Sequence, residues 1–94
     1  MVGDSTSGRV WIYPNPTGGQ FGVRYNPTHN NVLPRGVNIY DAQGKRVLTQ
    51  TYTLGIPFAP MNVDLSNHSS GIYWVEVVDV DGNRLAMGRV DIVR

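Results

Sequence analysis

The residues best suited to chemistry lie in one short polar stretch that holds Asp64, Ser66 and His68. These are the residue types of a hydrolytic triad, in which histidine takes the proton of a serine nucleophile. Triad members normally converge from distant segments beside an oxyanion-binding loop, and no such loop is recognisable in this sequence. We therefore interpret the stretch, with Ser69 and Ser70, as a polar turn. We expect the protein to have no catalytic residue and not to be an enzyme.

Metal or cofactor binding has equally little support. The chain has two histidines, His29 and His68, and no cysteine, whereas a zinc site needs about three converging protein ligands. Residues 79–83 resemble the beginning of a calcium loop, but the rest of the EF-hand ligand pattern is missing, so a hairpin turn is favoured over a weak surface calcium site. We predict no metal ion and no cofactor.

Two tryptophans could contact a ligand. Trp11 and Trp74 could together form a platform on which a sugar ring stacks, and Trp74 is the better candidate for an exposed aromatic contact. The favoured interpretation is that Trp74 covers the outer face of a sheet and Trp11 packs near an edge.

Length and charge narrow the function classes. The chain has 94 residues and a net charge of +1, so electrostatics give no reason to expect nucleic acid or an anionic membrane as a partner. No apolar run approaches the roughly 18 residues of a membrane span. Residues 1–8 are small and polar; we expect a flexible linker or the remnant of a junction, followed by one domain over residues 9–94.

The patterning of that domain predicts β-strands. Residues 71–77 alternate so that Tyr73, Val75 and Val77 face the core while Trp74 and Glu76 face outward, and we expect this to be the central strand. Other short strands are predicted over residues 9–13, 21–25, 37–40, 45–52, 61–65 and 85–93. No helical periodicity occurs, and the predicted fold is all-β, a seven-stranded antiparallel immunoglobulin-like β-sandwich.

Two of these strands leave their core face ambiguous. In residues 45–52 either Val47 or Leu48 can point inward, and we favour Val47. In the last strand the apolar positions change parity near Gly88, where we predict a β-bulge.

Four segments in a fixed order resemble one family. They are Ile12-Tyr13-Pro14-Asn15-Pro16-Thr17-Gly18-Gly19, Val37-Asn38-Ile39-Tyr40-Asp41-Ala42-Gln43-Gly44-Lys45-Arg46-Val47, Val63-Asp64-Leu65-Ser66 and Gly71-Ile72-Tyr73-Trp74-Val75-Glu76-Val77. Together they resemble the C-terminal sorting domain of the type IX secretion system, type A, over about residues 9–94. The residues that match its motifs most closely are Pro14, Asn15, Pro16, Asp41, Gly44, Lys45, Gly71 and Tyr73.

The resemblance implies a secretion address carried at the end of a cargo protein. It implies export through the periplasm to the cell surface or medium of a Bacteroidetes-type Gram-negative cell. The implied partners are the translocation machinery, an outer-membrane shuttle protein, a cargo domain fused before residue 9, and a surface sortase that removes the address within or before residues 2–8. No membrane insertion is implied.

The last strand is the segment that we expect the machinery to read. An edge strand can pair with another chain through its backbone, and arginines add charge complementarity. The hypothesis names Arg89, Val90, Ile92, Val93 and Arg94. Exposed edges also allow a strand-exchanged dimer of the isolated domain. The alternative function is a non-catalytic carbohydrate- or protein-binding sandwich of a secreted enzyme or adhesin.

Overall fold

The computed structural model describes residues 8–27, 32–56 and 58–94. The predicted linker lies outside these ranges except for Gly8, and so does His29. No helix in the described ranges has the length and hydropathy that crossing a bilayer requires.

The described residues form seven β-strands in two antiparallel sheets. In chain order they are β1 Gly8–Tyr13, β2 Gln20–Pro27, β3 Gly36–Tyr40, β4 Arg46–Thr51, β5 Met61–Asp64, β6 Gly71–Val78 and β7 Arg84–Ile92. The three-stranded sheet has the order β1-β2-β5, and the four-stranded sheet has the order β4-β3-β6-β7. The predicted seven-stranded antiparallel sandwich is confirmed.

The core lies between the two sheets and follows from the alternation of apolar residues. In β6, Tyr73, Val75 and Val77 are buried, as predicted, and β3 and β7 flank this strand on either side. Because successive side chains in a strand point to opposite faces, Trp74 and Glu76 lie on the outer face. Fully buried side chains from both sheets complete the core, the largest being Tyr25, Ile39, Met61, Leu65 and Ile92.

A bulge decides which residue of β4 faces inward. Leu48 pairs with the core residue Ile39, whereas Tyr40 pairs with Arg46, so Val47 is the extra residue between the two pairs. Val47 and Leu48 are both partly buried against the core. The prediction that Val47 alone points inward is therefore corrected, because register gives the regular inward position to Leu48.

The bulge of β7 lies earlier than predicted. Val77 pairs with Ala86 and Val78 with Arg84, which makes Leu85 the unpaired residue. Gly88 instead sits in a regular part of the ladder. A Cβ at Gly88 would lie 3.0 Å from the side chains of Ile12 and Val10, so this glycine allows β1 to pack closely on β7 where the two sheets meet.

Candidate functional site

The triad-like stretch is a closed turn. The Asp64 carboxylate accepts hydrogen bonds from the Ser66 hydroxyl and from the Ser66 amide, the latter at 2.8 Å. These two bonds hold the pKa of Asp64 below its ordinary value. The His68 ring lies edge-on to Tyr73 with centroids 6.4 Å apart. Asp64 therefore orders the turn through Ser66, an arrangement unlike a proton-transfer chain.

Two hairpins with the pattern Asp-X-X-Gly are built alike. The Asp79 carboxylate accepts from the amides of Asp81 and Asn83, each at 2.9 Å. Gly82 adopts a φ of +84° and donates from its amide to the Asp79 carbonyl. The carboxylate is thus used inside the turn, as the predicted hairpin requires. Within the described ranges, no group of three histidine, aspartate or glutamate residues is placed to hold a metal ion.

The second such hairpin holds three of the family-motif residues. Asp41 accepts from the amides of Gln43 and Lys45 at 3.0 and 2.9 Å, and Gly44 has a φ of +86°. The aspartate and glycine are therefore needed by the turn itself, because the left-handed backbone conformation at Gly44 is costly for other residues. Lys45 is exposed.

Gly71 and Tyr73, at the start of β6, also have roles in the fold. Gly71 has a φ of +151° at the point where the chain enters the strand. Tyr73 is buried, and its hydroxyl donates to the Ser69 carbonyl at 2.7 Å. This bond ties the polar turn of residues 66–70 to the core.

The two tryptophans lie on opposite outer faces. Trp11, on the three-stranded sheet, meets Phe58 edge-on at 5.8 Å, and Arg24 lies 5.4 Å from the Phe58 ring centre. Trp74 is on the four-stranded sheet, paired in register with Tyr40 and Arg89. The joint sugar-stacking platform is therefore wrong, whereas Trp74, 39 % exposed, remains available for contacts.

One carboxylate organises the outer face of the four-stranded sheet. Glu76 accepts from Asn38 at 3.0 Å, from the Tyr40 hydroxyl at 2.9 Å and from Arg84 at 3.0 Å. Burial pushes the pKa of Glu76 up, but the bonds from Asn38, Arg84 and Tyr40 outweigh it and the net pKa is lowered. The bond to Glu76, followed by burial, raises the pKa of Tyr40. This network locks β3, β6 and β7 together.

The corner of Pro14, Asn15 and Pro16 is folded against β7. Both prolines follow cis peptide bonds, and all three residues are exposed. The Asn15 side-chain amide donates to the Arg89 carbonyl at 2.8 Å, and its oxygen accepts from the Asp91 amide at 3.0 Å. These bonds join residues more than 70 positions apart in the sequence.

Thr17 continues the same seam with its backbone. Its amide donates to the Asp91 carbonyl at 2.9 Å, and its carbonyl accepts from the Val93 amide at 2.8 Å. This is a parallel bridge between Thr17 and Ile92. We call residues 14–17 the corner, and its contact with residues 89–93 of the last strand the corner seam.

Strand register gathers the motif residues at one end of the four-stranded sheet. Tyr40 pairs with Trp74, which pairs with Arg89. The hairpin after Tyr40, the start of β6 and the end of β7 therefore project in the same direction, with the corner alongside β7. The family model of the secretion system C-terminal sorting domain matches residues 11–86.

The chain belongs to this family, the type IX secretion sorting domains. A crystal structure of a DUF3244 family protein with an immunoglobulin-like β-sandwich fold, from Bacteroides vulgatus, is similar with a TM-score of 0.54. It is 15 % identical, and the likeness covers 92 % of this chain and 96 % of that chain. At this identity it shows the fold alone, and it agrees with the predicted immunoglobulin-like sandwich. No curated protein matches the sequence.

The last strand of the sorting domain presents only some of the residues proposed for recognition. Val90 and Ile92 are 0 % and 2 % exposed, so their side chains belong to the core and cannot be contacted in the folded domain. Val93 is exposed, and Arg89 pairs with Asp91 at 3.1 Å. The Arg94 guanidinium donates to the carbonyls of Ser66 and Leu65 at 2.6 and 2.8 Å. The set of accessible side chains is therefore Arg89, Val93 and Arg94.

The corner seam was the feature that sequence reasoning missed. The Pro-Asn-Pro pattern indicated a turn, but nothing local shows that the Asn15 side chain pairs with a strand more than 70 residues away. The available signal was indirect: the last strand was predicted to have an exposed edge, and such edges are usually covered.

Proposed function

We propose that this domain is a non-catalytic type IX secretion signal that carries a cargo protein fused to its N-terminal side across the outer membrane. The observation that carries the proposal is the family match over residues 11–86. A signal that is recognised as a folded domain agrees with the structure, because the motif residues either build turns or lie together with the corner at one end of the sheet. In this proposal a partner protein, and not this domain, catalyses the cleavage that separates the domain from its cargo.

The finer steps are part of the same proposal. The domain is recognised in the periplasm by the translocation machinery and an outer-membrane shuttle protein. A surface sortase then cuts in or before residues 2–8, and the cargo stays on the cell surface or enters the medium. This chain supplies a recognition surface and a scissile junction.

We place the recognition surface at the end of β7. Arg89, Val93 and Arg94 offer side chains there, and the backbones of Val90 and Ile92 keep this strand in the sheet. Arg94 lies across the turn after β5, where its guanidinium bonds two carbonyls, so its position is fixed before any partner arrives. A fixed cation contributes to selectivity and association rate more than to affinity.

The experiment fuses residues 1–94 to the C-terminus of a periplasmic reporter in a bacterium with and without a functional type IX system. We expect the reporter outside the cell only when the system is intact. Folded reporter that stays in the periplasm of both strains would overturn the sorting function.

A further inference from the structure

The corner seam has the hydrogen-bond pattern of an added strand. In a parallel pair, one residue donates its amide to one neighbour of the residue opposite and accepts from the other neighbour. Thr17 does this with its own backbone across from Ile92. Two residues earlier, the Asn15 side-chain amide makes the equivalent bonds to Arg89 and Asp91.

Asn15 therefore imitates a peptide group. Its planar side-chain amide presents an N–H donor and a carbonyl acceptor side by side, and both are used here in place of the N–H and C=O of a strand residue. The corner is a short pseudo-strand that runs parallel to β7 and occupies four outward-facing backbone groups of residues 89–93. An extended segment of another chain, laid parallel to β7, would make the same four bonds.

The pseudo-strand has an exposed part and a buried part. Pro14, Asn15 and Pro16 are exposed, whereas Thr17 is buried and anchored by a hydrogen bond from its hydroxyl to the Gln20 carbonyl at 2.7 Å. The corner can thus open first at Asn15, and the incoming strand then exchanges its own bonds for the two backbone bonds that Thr17 makes to Asp91 and Val93. Exposed segments with few buried contacts open at low free energy.

No other edge among the described strands carries this arrangement. Among the described strands, β1, β4, β5 and β7 each pair on one side only. In β7 the outer edge is already shaped to accept a parallel strand, because a piece of the chain lies on it with ladder geometry. Exposed Val93 and the cation of Arg89 flank the same edge.

We propose that the outer edge of β7 over residues 89–93 is a strand-addition site, closed in the free domain by Asn15, and that the partner is an extended polypeptide segment that replaces the corner. This inference rests on the proposed sorting function and names how the partner binds. Backbone pairing gives the affinity, and the side chains of Arg89 and Val93 give the selectivity.

The first measurement is amide hydrogen exchange on the 94-residue chain. Asn15→Ala removes both side-chain bonds, and Asn15→Asp keeps the shape and the acceptor but loses the donor to the Arg89 carbonyl. We expect the Asp91 amide to exchange about tenfold faster in Asn15→Ala, with the Val75 amide in β6 unchanged. Unchanged exchange at Asp91 would show that Asn15 does not close the edge and would overturn the proposal.

The deciding measurement is secretion of the reporter fusion by a strain with an intact type IX system. Asp91→Pro and Val93→Pro each remove an outward-facing amide hydrogen, and Asp91→Ala and Val93→Ala are the matched controls that keep it. Both amides lie on the outer edge of β7, outside its ladder with β6, where proline is best tolerated in a strand, and each substitution also removes one bond of the corner seam. Thermal unfolding of each chain identifies the folded variants, and Val93, just beyond β7, is the safer position.

We expect each proline variant to be secreted at least tenfold less than its own alanine control, while Asn15→Ala stays near the wild-type level. Secretion of the folded Val93→Pro variant at the wild-type level would overturn strand addition. Loss of secretion in a folded Asn15→Ala variant would overturn it as well, because the corner itself would then be what the machinery reads. A wild-type fusion that is not secreted would instead refute the sorting function.

Discussion

At the scale of single residues, Glu76 makes the stability of the four-stranded sheet depend on pH. Its pKa is lowered below the ordinary value of 4.5 because bonds from Asn38, Arg84 and Tyr40 outweigh burial. A carboxylate with a depressed folded-state pKa stabilises the fold above its unfolded pKa, and this stabilisation is lost as the pH falls through the folded value. The acid side of the stability curve should therefore depend on Glu76.

We predict that Glu76→Gln flattens the fall in the free energy of unfolding between pH 6 and pH 3. Urea denaturation of both chains at several pH values in this range measures the two slopes. Asp64, whose pKa is also lowered, keeps part of the slope in the variant. Asp81→Asn is the control, because Asp81 lies exposed in the β6–β7 hairpin. Equal slopes for Glu76→Gln and the wild type would show that protonation of Glu76 does not cause the loss of stability in acid.

Asn15 shows what the sequence could not reveal at this scale. The turn made by Pro14, Asn15 and Pro16 follows from local chemistry, since proline and asparagine restrict the backbone in known ways. The Asn15 side chain donates to the Arg89 carbonyl and accepts from the Asp91 amide, and those contacts exist only once the sheets have packed. Roles that depend on partners so distant in the chain are invisible in a single sequence.

At the scale of elements, the contact between β1 and β7 depends on Gly88. Ile12 and Val10 fill the space where a side chain would stand, with a Cβ placed 3.0 Å from each. We predict that Gly88→Ala lowers the free energy of unfolding by about 1–3 kcal/mol, because overpacking forces neighbouring side chains to move. Urea denaturation at neutral pH measures the loss.

The matched control for this prediction is Gly18→Ala. Gly18 has nothing within 4 Å of a built Cβ, so this substitution should change stability by less than about 0.5 kcal/mol. If Gly88→Ala is as stable as Gly18→Ala, the close approach of β1 does not limit the size of residue 88.

The strands themselves were predictable because the alternation of apolar residues is local. Their register was not predictable, because it depends on the partner strand. Tyr73, Val75 and Val77 follow a simple period of two and were assigned correctly to the core of β6. The bulges at Val47 and Leu85 depend on which residues the partner strand presents. In β7 the change of parity was visible in the sequence, but its position could be fixed only by pairing with β6.

At the scale of the whole molecule, one core supports both sheets, and Leu65 lies fully buried within it. We predict that Leu65→Ala destabilises the domain by about 2–5 kcal/mol. This is a large share of the roughly 5–15 kcal/mol that a domain of this kind holds in total. Thermal unfolding should therefore shift down by about 10 °C or more.

Val80→Ala provides the comparison for this core substitution. Val80 is 72 % exposed, so its truncation should leave the unfolding temperature within a few degrees of the wild type. Similar shifts for Leu65→Ala and Val80→Ala would show that the core around Leu65 does not carry the stability of the domain.

The fold was predictable at this scale, and the function followed from motif order. Seven short patterned segments indicate a sandwich whatever its role, and that fold alone does not decide between a binding module and a secretion signal. The order of four short motifs pointed to the sorting family, which the family match bears out. The proposed recognition surface could be narrowed only with the structure, because Val90 and Ile92 are buried whereas Arg89, Val93 and Arg94 are exposed.

The sorting function is tested most directly by the fraction of a periplasmic reporter found outside the cell when residues 1–94 are fused to its C-terminus. The measurement is made in paired strains with and without a functional type IX system, with the unfused reporter as control. We expect export of the fusion in the intact strain alone and retention of the unfused reporter in both. A folded fusion retained in both strains would contradict it.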